Sequence, residues 1–479
     1  MDDTRRLIVV SNRLPIAIES DPEGGGSRVV RGSGGLVTAL DPVLQSRGGR
    51  WVGWLGQGAC GAIPERLSTL ASQIGYQLDP VDLTPDEVNG YYEGYSNQVL
   101  WPLFHDFIDH CNFDPAYWQF YRSVNRKFAE VVARASTPDD YVWIHDYQLL
   151  LVGRELARLG ARRELGYFLH IPFPPLDMFE KMPWRTQILD GLLSYDLVGF
   201  QTPRDVRNFV QCVRHCVEGV EVADHGEMVR IRTADRTLFA GAFPISIDYD
   251  DFVQRSRGAD VSEMIERLRS QLPNRFLLLG LDRLDYSKGI PQRVLAFGNA
   301  LERHPELREK ITFIQVVIPS RTRVEDYKAL KDEIDRLIGL VNGTYSRAGW
   351  TPIHYAFRSL SQAELLAYYR VCDAALVTPL KDGMNLVAKE YCACHLENEG
   401  VLILSEFAGA AEQLAEGSLM VNPFDIEQTA DAILEATRLP EAERHRRMKL
   451  LRDNVREHDI YRWVEQFLGA ATRARQNAA

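Results

Sequence analysis

Long apolar runs are missing from this 479-residue sequence, and none approaches the roughly 18 consecutive apolar residues that a membrane-spanning helix requires. We therefore expect no membrane partner. Cysteine is also scarce: the chain has seven. None of them has the paired C-x-x-C spacing of a zinc site. Such scattered cysteines are typical of small core residues in a reducing compartment, and they predict a fold without structural metal.

Positive charge is in deficit. The chain has 55 Lys and Arg against 66 Asp and Glu, a net charge of −11, which argues against general nucleic-acid binding. The first residues, Met1-Asp-Asp-Thr-Arg-Arg6, precede a short strand-like run and contain no small-residue cleavage site, so we expect no signal peptide. These features predict a cytoplasmic protein, and they leave open whether it forms a homo-oligomer.

The length exceeds that of one ordinary core and predicts two domains of roughly 200–250 residues each. Apolar strand-like runs alternate with helix-like stretches in two series, the second beginning near residue 250. This βαβα order predicts a mostly parallel sheet in each domain. The predicted strands are 6–11, 141–144, 166–169, 197–200, 242–243, 275–280, 311–318, 374–378, 401–404 and 419–421.

One stretch organises the second series. The strand 374–378 runs into a turn at Asp382-Gly383, and a helix is predicted from Leu386 through Cys394. A strand, a glycine turn and a helix N-terminus together suit anions and sugar hydroxyls. Asp382 could bind hydroxyls of a transferred sugar and Glu390 those of a ribose. Alternatively, Asp382 only caps the helix and Glu390 is solvated.

Two further stretches are compatible with ligand binding. A Gly-rich loop ends in Gly34-Gly35 and matches neither a dinucleotide fingerprint nor a P-loop; its backbone could approach a diphosphate, or it could be a flexible turn. Aromatic residues are dense in 51–54 and 91–101. Their rings could stack on sugars, or they could simply pack in the core.

Charged side chains follow the carboxyl ends of predicted strands in both series. In open α/β sheets that edge binds ligands. The pattern therefore predicts an enzyme that binds a phosphorylated ligand in a cleft between two domains. The residues in this pattern are Arg13, Asp146, His170, Arg283, Lys288, Arg321 and Asp382.

With these motifs in place, nearly the whole chain resembles the trehalose-6-phosphate synthases, the retaining glycosyltransferases of family 20. The motifs that carry the resemblance are Val10-Ser-Asn-Arg13, Gly34-Gly-Leu36, Tyr92 with Trp101, Ile144-His-Asp-Tyr147, His170-Ile-Pro-Phe-Pro174, Arg283-Leu-Asp-Tyr-Ser-Lys-Gly289 and Asp382-Gly-Met-Asn-Leu-Val-Ala-Lys-Glu390. The stretch between Ile18 and Arg31 departs from compact members of the family by a longer Gly-rich insertion.

The resemblance implies the α/β GT-B fold, in which two Rossmann-like, doubly wound parallel-sheet domains face each other across a cleft. The implied divisions are an acceptor-binding domain over 1–248, a nucleotide-sugar-binding domain over 249–455, and a C-terminal helix within 456–479 that crosses back to the first domain.

The resemblance also implies roles for individual residues. Arg283 and Lys288 would bind the donor diphosphate, and together with Asp382 and His170, which would hold the donor glucose, they form the catalytic group. The remaining donor positions are Gly34, Gly35, Leu360 beside the base, Leu386, Val387 and the ribose-binding Glu390. The acceptor positions are Arg13, Trp54, Tyr92, Trp101, Asp146 and Arg321.

The implied reaction moves glucose from UDP-glucose to glucose 6-phosphate with retention, giving α,α-trehalose 6-phosphate and UDP. Two cations at Arg283 and Lys288 would stabilise the leaving diphosphate, so we expect no metal and no cofactor. One alternative is a sister synthase that uses glycerol 3-phosphate, against which the sugar-sized aromatic pair Tyr92 and Trp101, together with Arg321, argues. Another is a non-catalytic regulatory subunit, which should have lost part of the donor set.

Overall fold

The computed structural model describes residues 5–20, 27–31, 35–56, 74–272, 275–320 and 325–478. The chain divides into two compact units. The first comprises Met1–Pro244 together with Trp463–Ala479, and the second comprises Ile245–Arg462. The last helix of the chain therefore lies almost entirely in the same unit as the N-terminal residues.

The first unit is built on a nine-stranded sheet in the order β5-β4-β1-β6-β7-β8-β11-β10-β9. The strands from β5 to β11 are parallel, while β10 and β9 continue the edge as antiparallel strands. The strands are β1 Leu7–Arg13, β4 Gly49–Trp54, β5 Gln77–Val81, β6 Tyr141–His145, β7 Glu164–Phe168, β8 Leu197–Phe200, β9 Glu221–His225, β10 Met228–Arg232 and β11 Thr237–Ala242. A separate antiparallel pair is formed by β2 Ile16–Ser20 and β3 Ser27–Arg31.

Helices fill the connections of this sheet. They are α1 Gly35–Arg47, α2 Pro85–Glu87, α3 Trp101–Phe104, α4 Pro115–Ala135, α5 Val152–Arg158, α6 Leu176–Phe179, α7 Arg185–Leu192 and α8 Pro203–Cys216, with a π-helix at Val88–Leu100 and 3-10 turns at Ile108–His110 and Tyr147–Leu149. The longer ones start at capped positions: Asp114 and Thr202 accept backbone N–H bonds ahead of α4 and α8, and Pro follows each cap.

The second unit has a six-stranded, fully parallel sheet in the order β14-β13-β12-β15-β16-β17. Its strands are β12 Phe276–Arg283, β13 Ile311–Ile318, β14 Ile353–Phe357, β15 Ala374–Val377, β16 Val401–Ser405 and β17 Leu419–Val421. Apart from the edge strand β14, nearly every residue of these strands is buried, as expected for a parallel sheet that is covered on both faces.

The helices of the second unit are α9 Tyr249–Ser256, α10 Ala259–Gln271, α11 Ile290–Arg303, α12 Glu325–Tyr345, α13 Gln362–Val371, α14 Leu386–Cys394, α15 Ala411–Leu414, α16 Ile426–Arg438 and α17 Glu441–Glu457, with 3-10 turns at Tyr286–Lys288, Pro305–Leu307 and Ala415–Gly417. The chain ends in α18, Ile460–Ala478.

The mostly parallel, two-domain α/β architecture is confirmed. Helix α14 begins and ends where the sequence predicted. The last helix, α18, has a buried apolar face formed by Ile460, Trp463, Val464 and Phe467.

Two stretches form elements that the sequence did not predict. Part of the Gly-rich stretch between Ile18 and Arg31 is the antiparallel pair β2–β3, which glycine concealed because it weakens any strand pattern. The aromatic segment 91–101 lies mostly in the π-helix, whose wider turn does not follow the 3.6-residue period by which helices are recognised. Within the described residues, none of the helices has the length and apolar character needed to cross a membrane.

Candidate functional site

In the parallel part of each sheet the strand order reverses at one point, and several of the predicted charged residues lie there. In the second unit the reversal falls between the neighbouring strands β12 and β15. Arg283 is the last residue of β12, and Asp382 follows β15. Crevices at such switch points are where open α/β sheets bind ligands.

The loops after these two strands are tied together by backbone contacts. The Leu380 amide donates to the Ser287 carbonyl at 2.8 Å. Gly289 has φ +65°, and a Cβ there would run into the Thr378 carbonyl oxygen, so only glycine fits this approach. Lys288 is therefore held rigidly beside the loop that carries Asp382.

Lys288 and Asp382 form an ion pair, with 2.5 Å between Nζ and Oδ2 and side-chain exposures of 11% and 13%. The same oxygen accepts a 3.1 Å bond from Asn385 Nδ2. Asn385, at φ +83°, also accepts the Ala388 amide and is the N-cap of α14. The alternative in which Asp382 caps the helix is therefore wrong, because Asn385 does so and orients Asp382 as well.

The amides of Leu386 and Val387 form the first turn of α14, and neither has a hydrogen-bond partner in the part of the chain that the structure describes. Such orphan N–H groups carry partial positive charge and suit an anion. A second constraint holds the loop ahead of them. A Cβ on Gly409 would overlap the Gly383 carbonyl oxygen, and the Ala410 amide donates to Met384 at 2.7 Å.

Glu390 is not simply solvated, contrary to the second half of that alternative. Its Oε2 accepts a 2.7 Å hydrogen bond from the hydroxyl of the buried Tyr369. Burial raises the pKa of Glu390, and the Tyr369 bond opposes this shift. Leu360, the candidate for the base, lies half-buried just before Ser361, the N-cap of α13.

A buried arginine that sequence reasoning missed underlies this region. Arg293, 1% exposed, pairs with Asp282 at 2.7 Å, and its Nε donates to Thr378 Oγ1 at 3.1 Å. It joins the carboxyl ends of β12 and β15. The signal was present in the sequence: Arg293 falls on the apolar face of α11, three residues after Ile290, where an unpaired charge would be costly.

In the first unit the strand order reverses between β1 and β6, and Arg13 ends β1 while Asp146 follows β6. The Arg13 guanidinium lies over the Trp54 ring, 4.7 Å from its centroid, and 5.8 Å from that of Tyr92. The two rings are 6.2 Å apart. Two predicted acceptor residues, Trp54 and Tyr92, are therefore brought together around the guanidinium of a third, Arg13.

Four other aromatic residues of the stretches 51–54 and 91–101 are buried. Trp51, Tyr91 and Tyr95 are fully buried and belong to the core. Trp101 is 5% exposed, with its ring 4.3 Å from that of His105 and 5.6 Å from that of Tyr147.

Asp146 and His170 are brought together at the ends of neighbouring strands. Asp146, at φ +76°, accepts the His170 backbone amide at 3.2 Å. The His170 Nε2 lies 3.2 Å from Nδ1 of His145. Burial lowers the pKa of His170 to about 3, so the ring is neutral at physiological pH.

Gly34 and Arg321 lie outside the described residues, and Gly35 is the first residue of α1. Among the residues that the structure describes, no group of three or more His, Cys, Asp or Glu side chains could hold a metal ion.

Comparisons with known proteins agree over the whole chain. A family model, Glycosyltransferase family 20, matches residues 5–473. The "Trehalose-6-phosphate synthase" of Mycobacterium sp. (strain JLS) is 44% identical over 470 residues, which cover 97% of this chain and 95% of the relative.

Two solved structures match with their ligands. An alpha,alpha-trehalose-phosphate synthase (UDP-forming) from Burkholderia xenovorans in complex with glucose-6-phosphate has a TM-score of 0.87 and 32% identity, covering 98% of this chain and 100% of that one. "Trehalose-6-phosphate from E. coli bound with UDP-2-fluoro glucose" has a TM-score of 0.87 and 33% identity, covering 97% and 98%.

Proposed function

The chain belongs to glycosyltransferase family 20, and from that premise we propose that it transfers glucose from UDP-glucose to glucose 6-phosphate with retention, forming α,α-trehalose 6-phosphate and UDP. The observation that carries the proposal is the intact donor set at the switch point of the second unit, where Arg283, Lys288, Asp382 and Glu390 are all present. A regulatory subunit without activity has no need of this set.

We assign the donor diphosphate to Arg283, Lys288 and the amides of Leu386 and Val387. The diphosphate gains negative charge as the bond to glucose breaks, and fixed cations and N–H dipoles stabilise that charge without reorganisation. Arg283 is exposed and has no side-chain partner within the described residues, so it is available to a ligand. Lys288 is shared between the diphosphate and Asp382, which keeps both groups oriented.

Hydroxyl recognition falls to the two carboxylates. Asp382 is held by Lys288 and Asn385, and we assign it to the transferred glucose, together with His170. Glu390 uses one oxygen for Tyr369, and we assign the other to the ribose hydroxyls. A carboxylate oxygen accepts bonds from neighbouring hydroxyls in the geometry that a ribose presents.

The acceptor is assigned to the switch point of the first unit. Arg13, oriented by Trp54 and Tyr92, offers its planar fork to the phosphate. Trp101 and Asp146 are assigned to the acceptor sugar. Arg321 and Gly34 are assigned by resemblance alone, as phosphate and donor contacts respectively.

Retention is assigned to a front-face reaction. The bond from C1 of glucose to the diphosphate breaks while C1 bonds to the acceptor oxygen on the same face. The acceptor hydroxyl proton passes to a diphosphate oxygen. Asp382 is the nearest candidate for a double-displacement nucleophile. Its Oδ2, however, is occupied by Lys288 and Asn385, which favours a binding role over attack.

One experiment tests the proposal. The purified protein is incubated with UDP-, GDP- or ADP-glucose and with glucose 6-phosphate or glycerol 3-phosphate, with and without EDTA. We expect UDP-glucose and glucose 6-phosphate to give a product with two α-anomeric couplings by NMR, and EDTA to leave the rate unchanged. A protein that makes product only from glycerol 3-phosphate, or makes no product, would overturn the proposed function. Loss of activity in EDTA that Mg²⁺ restores would overturn only the expectation that no metal is needed.

A further inference from the structure

A second histidine lies directly behind His170. His145 is the last residue of β6 and is fully buried, while His170 follows the neighbouring parallel strand β7, so both rings project at the same sheet edge. Their nitrogens, Nδ1 of His145 and Nε2 of His170, are 3.2 Å apart. Because burial lowers the pKa of both rings, each is neutral, and a single proton occupies the contact.

The tautomers of the two rings are therefore coupled. If His145 donates from Nδ1, then His170 carries its own proton on Nδ1; if His170 donates from Nε2, its Nδ1 is a bare acceptor. None of the described residues bonds Nδ1 of His170, and His170 is only partly covered, so this is the nitrogen that can meet a ligand.

The surroundings of His145 decide between the two arrangements. Its Nε2 is buried and has no hydrogen-bond partner among the described residues. The ring packs 4.7 Å from Trp143 and 6.3 Å from Trp463, whose indole N–H groups are likewise buried and unpartnered in the described part of the chain. An N–H on Nε2 would be a third buried donor without a partner in this cluster, and buried orphan donors are rarer than unpaired acceptors, so a lone pair on Nε2 is favoured.

We propose that His145 is a positioning residue that donates from Nδ1 to His170 Nε2 and so fixes His170 as the Nδ1–H tautomer, a hydrogen-bond donor to a glucose hydroxyl oxygen of the donor substrate. The contact with glucose rests on the proposed function. The tautomer itself does not, because it follows from the free protein.

The first test is a measurement on the wild-type protein. Long-range ¹H–¹⁵N spectra of ¹⁵N-histidine-labelled protein, with His170 assigned by its loss in His170→Gln, distinguish the two neutral tautomers. We expect a protonated Nδ1 on His170. A protonated Nε2 would overturn the proposal without touching the proposed function.

Matched variants separate positioning from packing. Asn places its side-chain amide near the imidazole Nδ1, so His145→Asn keeps a donor toward His170. Gln places its amide near the position of Nε2. His145→Gln therefore removes the donor that faces His170 while keeping an amide side chain at this position. We expect roughly 10-fold lower kcat/KM for UDP-glucose in His145→Gln, the loss of about one hydrogen bond, and recovery to within about 3-fold in His145→Asn.

Binding of UDP, which lacks the glucose, provides the control and should be unchanged in both variants. Equal losses in the Asn and Gln variants would show that His145 only packs and would overturn the proposal. If His170→Gln itself leaves kcat/KM unchanged while the Nδ1–H tautomer is observed, the assignment of His170 to glucose fails and the positioning by His145 stands.

Discussion

At the scale of single residues, the proposed donor site contains a cation that already forms an ion pair. Lys288 bonds Asp382 at 2.5 Å, and both side chains are nearly buried. If Lys288 binds the diphosphate as proposed, it stabilises that group most when the group is most charged, which is in the transition state. Its contribution should therefore appear in turnover as well as in binding.

We expect Lys288→Ala to lower kcat by roughly 10- to 150-fold, the range for a hydrogen bond to a charged group. Steady-state kinetics with varied UDP-glucose measure this. Lys449→Ala is the control, because Lys449 makes a Lys–Asp pair of the same 2.5 Å length on an exposed helix surface, and its removal should change kcat little. An unchanged kcat with a raised KM would show that Lys288 binds only the ground state.

The acceptor site makes a corresponding prediction. Arg13→Ala should lower kcat/KM for glucose 6-phosphate by roughly 10- to 150-fold, because a bidentate charged contact to the phosphate is lost. The kcat/KM of Arg13→Lys should lie between those of the wild type and Arg13→Ala. Lysine keeps the charge but loses the planar fork and the stacking on Trp54. Unphosphorylated glucose, measured on the same variants, should be nearly indifferent; equal losses for both acceptors would rule out the phosphate role.

Residues also show where sequence reasoning reaches its limit. Asp382 and Glu390 could be identified because strand, turn and helix signals surround them. Arg293 lies on the apolar face of α11 and still escaped, because its partners Asp282 and Thr378 lie at the ends of two different strands. Pairing across strands depends on register and neighbour order, which a single chain does not display.

At the scale of elements, the turn before α14 is fixed by close backbone approach. Asn385 adopts φ +83° and caps the helix, and Gly409 packs against Gly383. The sequence predicted the helix from Leu386 to Cys394 but left open whether Asp382 caps it. Both residues favour caps, so only the backbone geometry could distinguish them.

Gly409→Ala should displace the loop that carries Asp382. The added Cβ would overlap the Gly383 carbonyl oxygen, and backbone cannot rotate away as a flexible side chain would. We expect at least roughly 10-fold weaker UDP-glucose binding by calorimetry and a lower melting temperature.

Gly339→Ala is the matched control for this change. Gly339 lies inside α12, and a Cβ there would meet nothing within 4 Å. Because alanine favours helix by about 0.5–1 kcal/mol over glycine, this variant should be equally or more stable and should bind normally. Normal donor binding by Gly409→Ala would mean that the loop adapts.

At the scale of the whole molecule, one topology is used twice. The orders β5-β4-β1-β6-β7-β8 and β14-β13-β12-β15-β16-β17 are the same arrangement, with the reversal beside β1 and beside β12. The two halves show no sequence repeat. The shared order could nonetheless be anticipated, because alternating buried strands and helices admit few right-handed parallel arrangements. The antiparallel strands β9 and β10 had no such signal, since charged residues interrupt both of them and neither forms an apolar run.

The last helix shows that chain order and unit membership differ. Trp463 and Phe467 of α18 are buried in the first unit, where Phe467 stacks on Trp143 at 4.3 Å and Trp463 meets Phe168 at 5.1 Å.

We expect Trp463→Ala to destabilise the protein by about 3–5 kcal/mol, the cost of removing a buried aromatic side chain. Urea unfolding, followed by fluorescence, measures the loss. Gln466→Ala, on the exposed side of the same helix, should shift the midpoint little. Equal midpoints for the two variants would mean that α18 lies on the first unit without contributing to its core. A loss confined to Trp463→Ala would make the C-terminal residues part of the fold that presents Asp146 and His170, because Trp463 also lies 6.1 Å from the His170 ring.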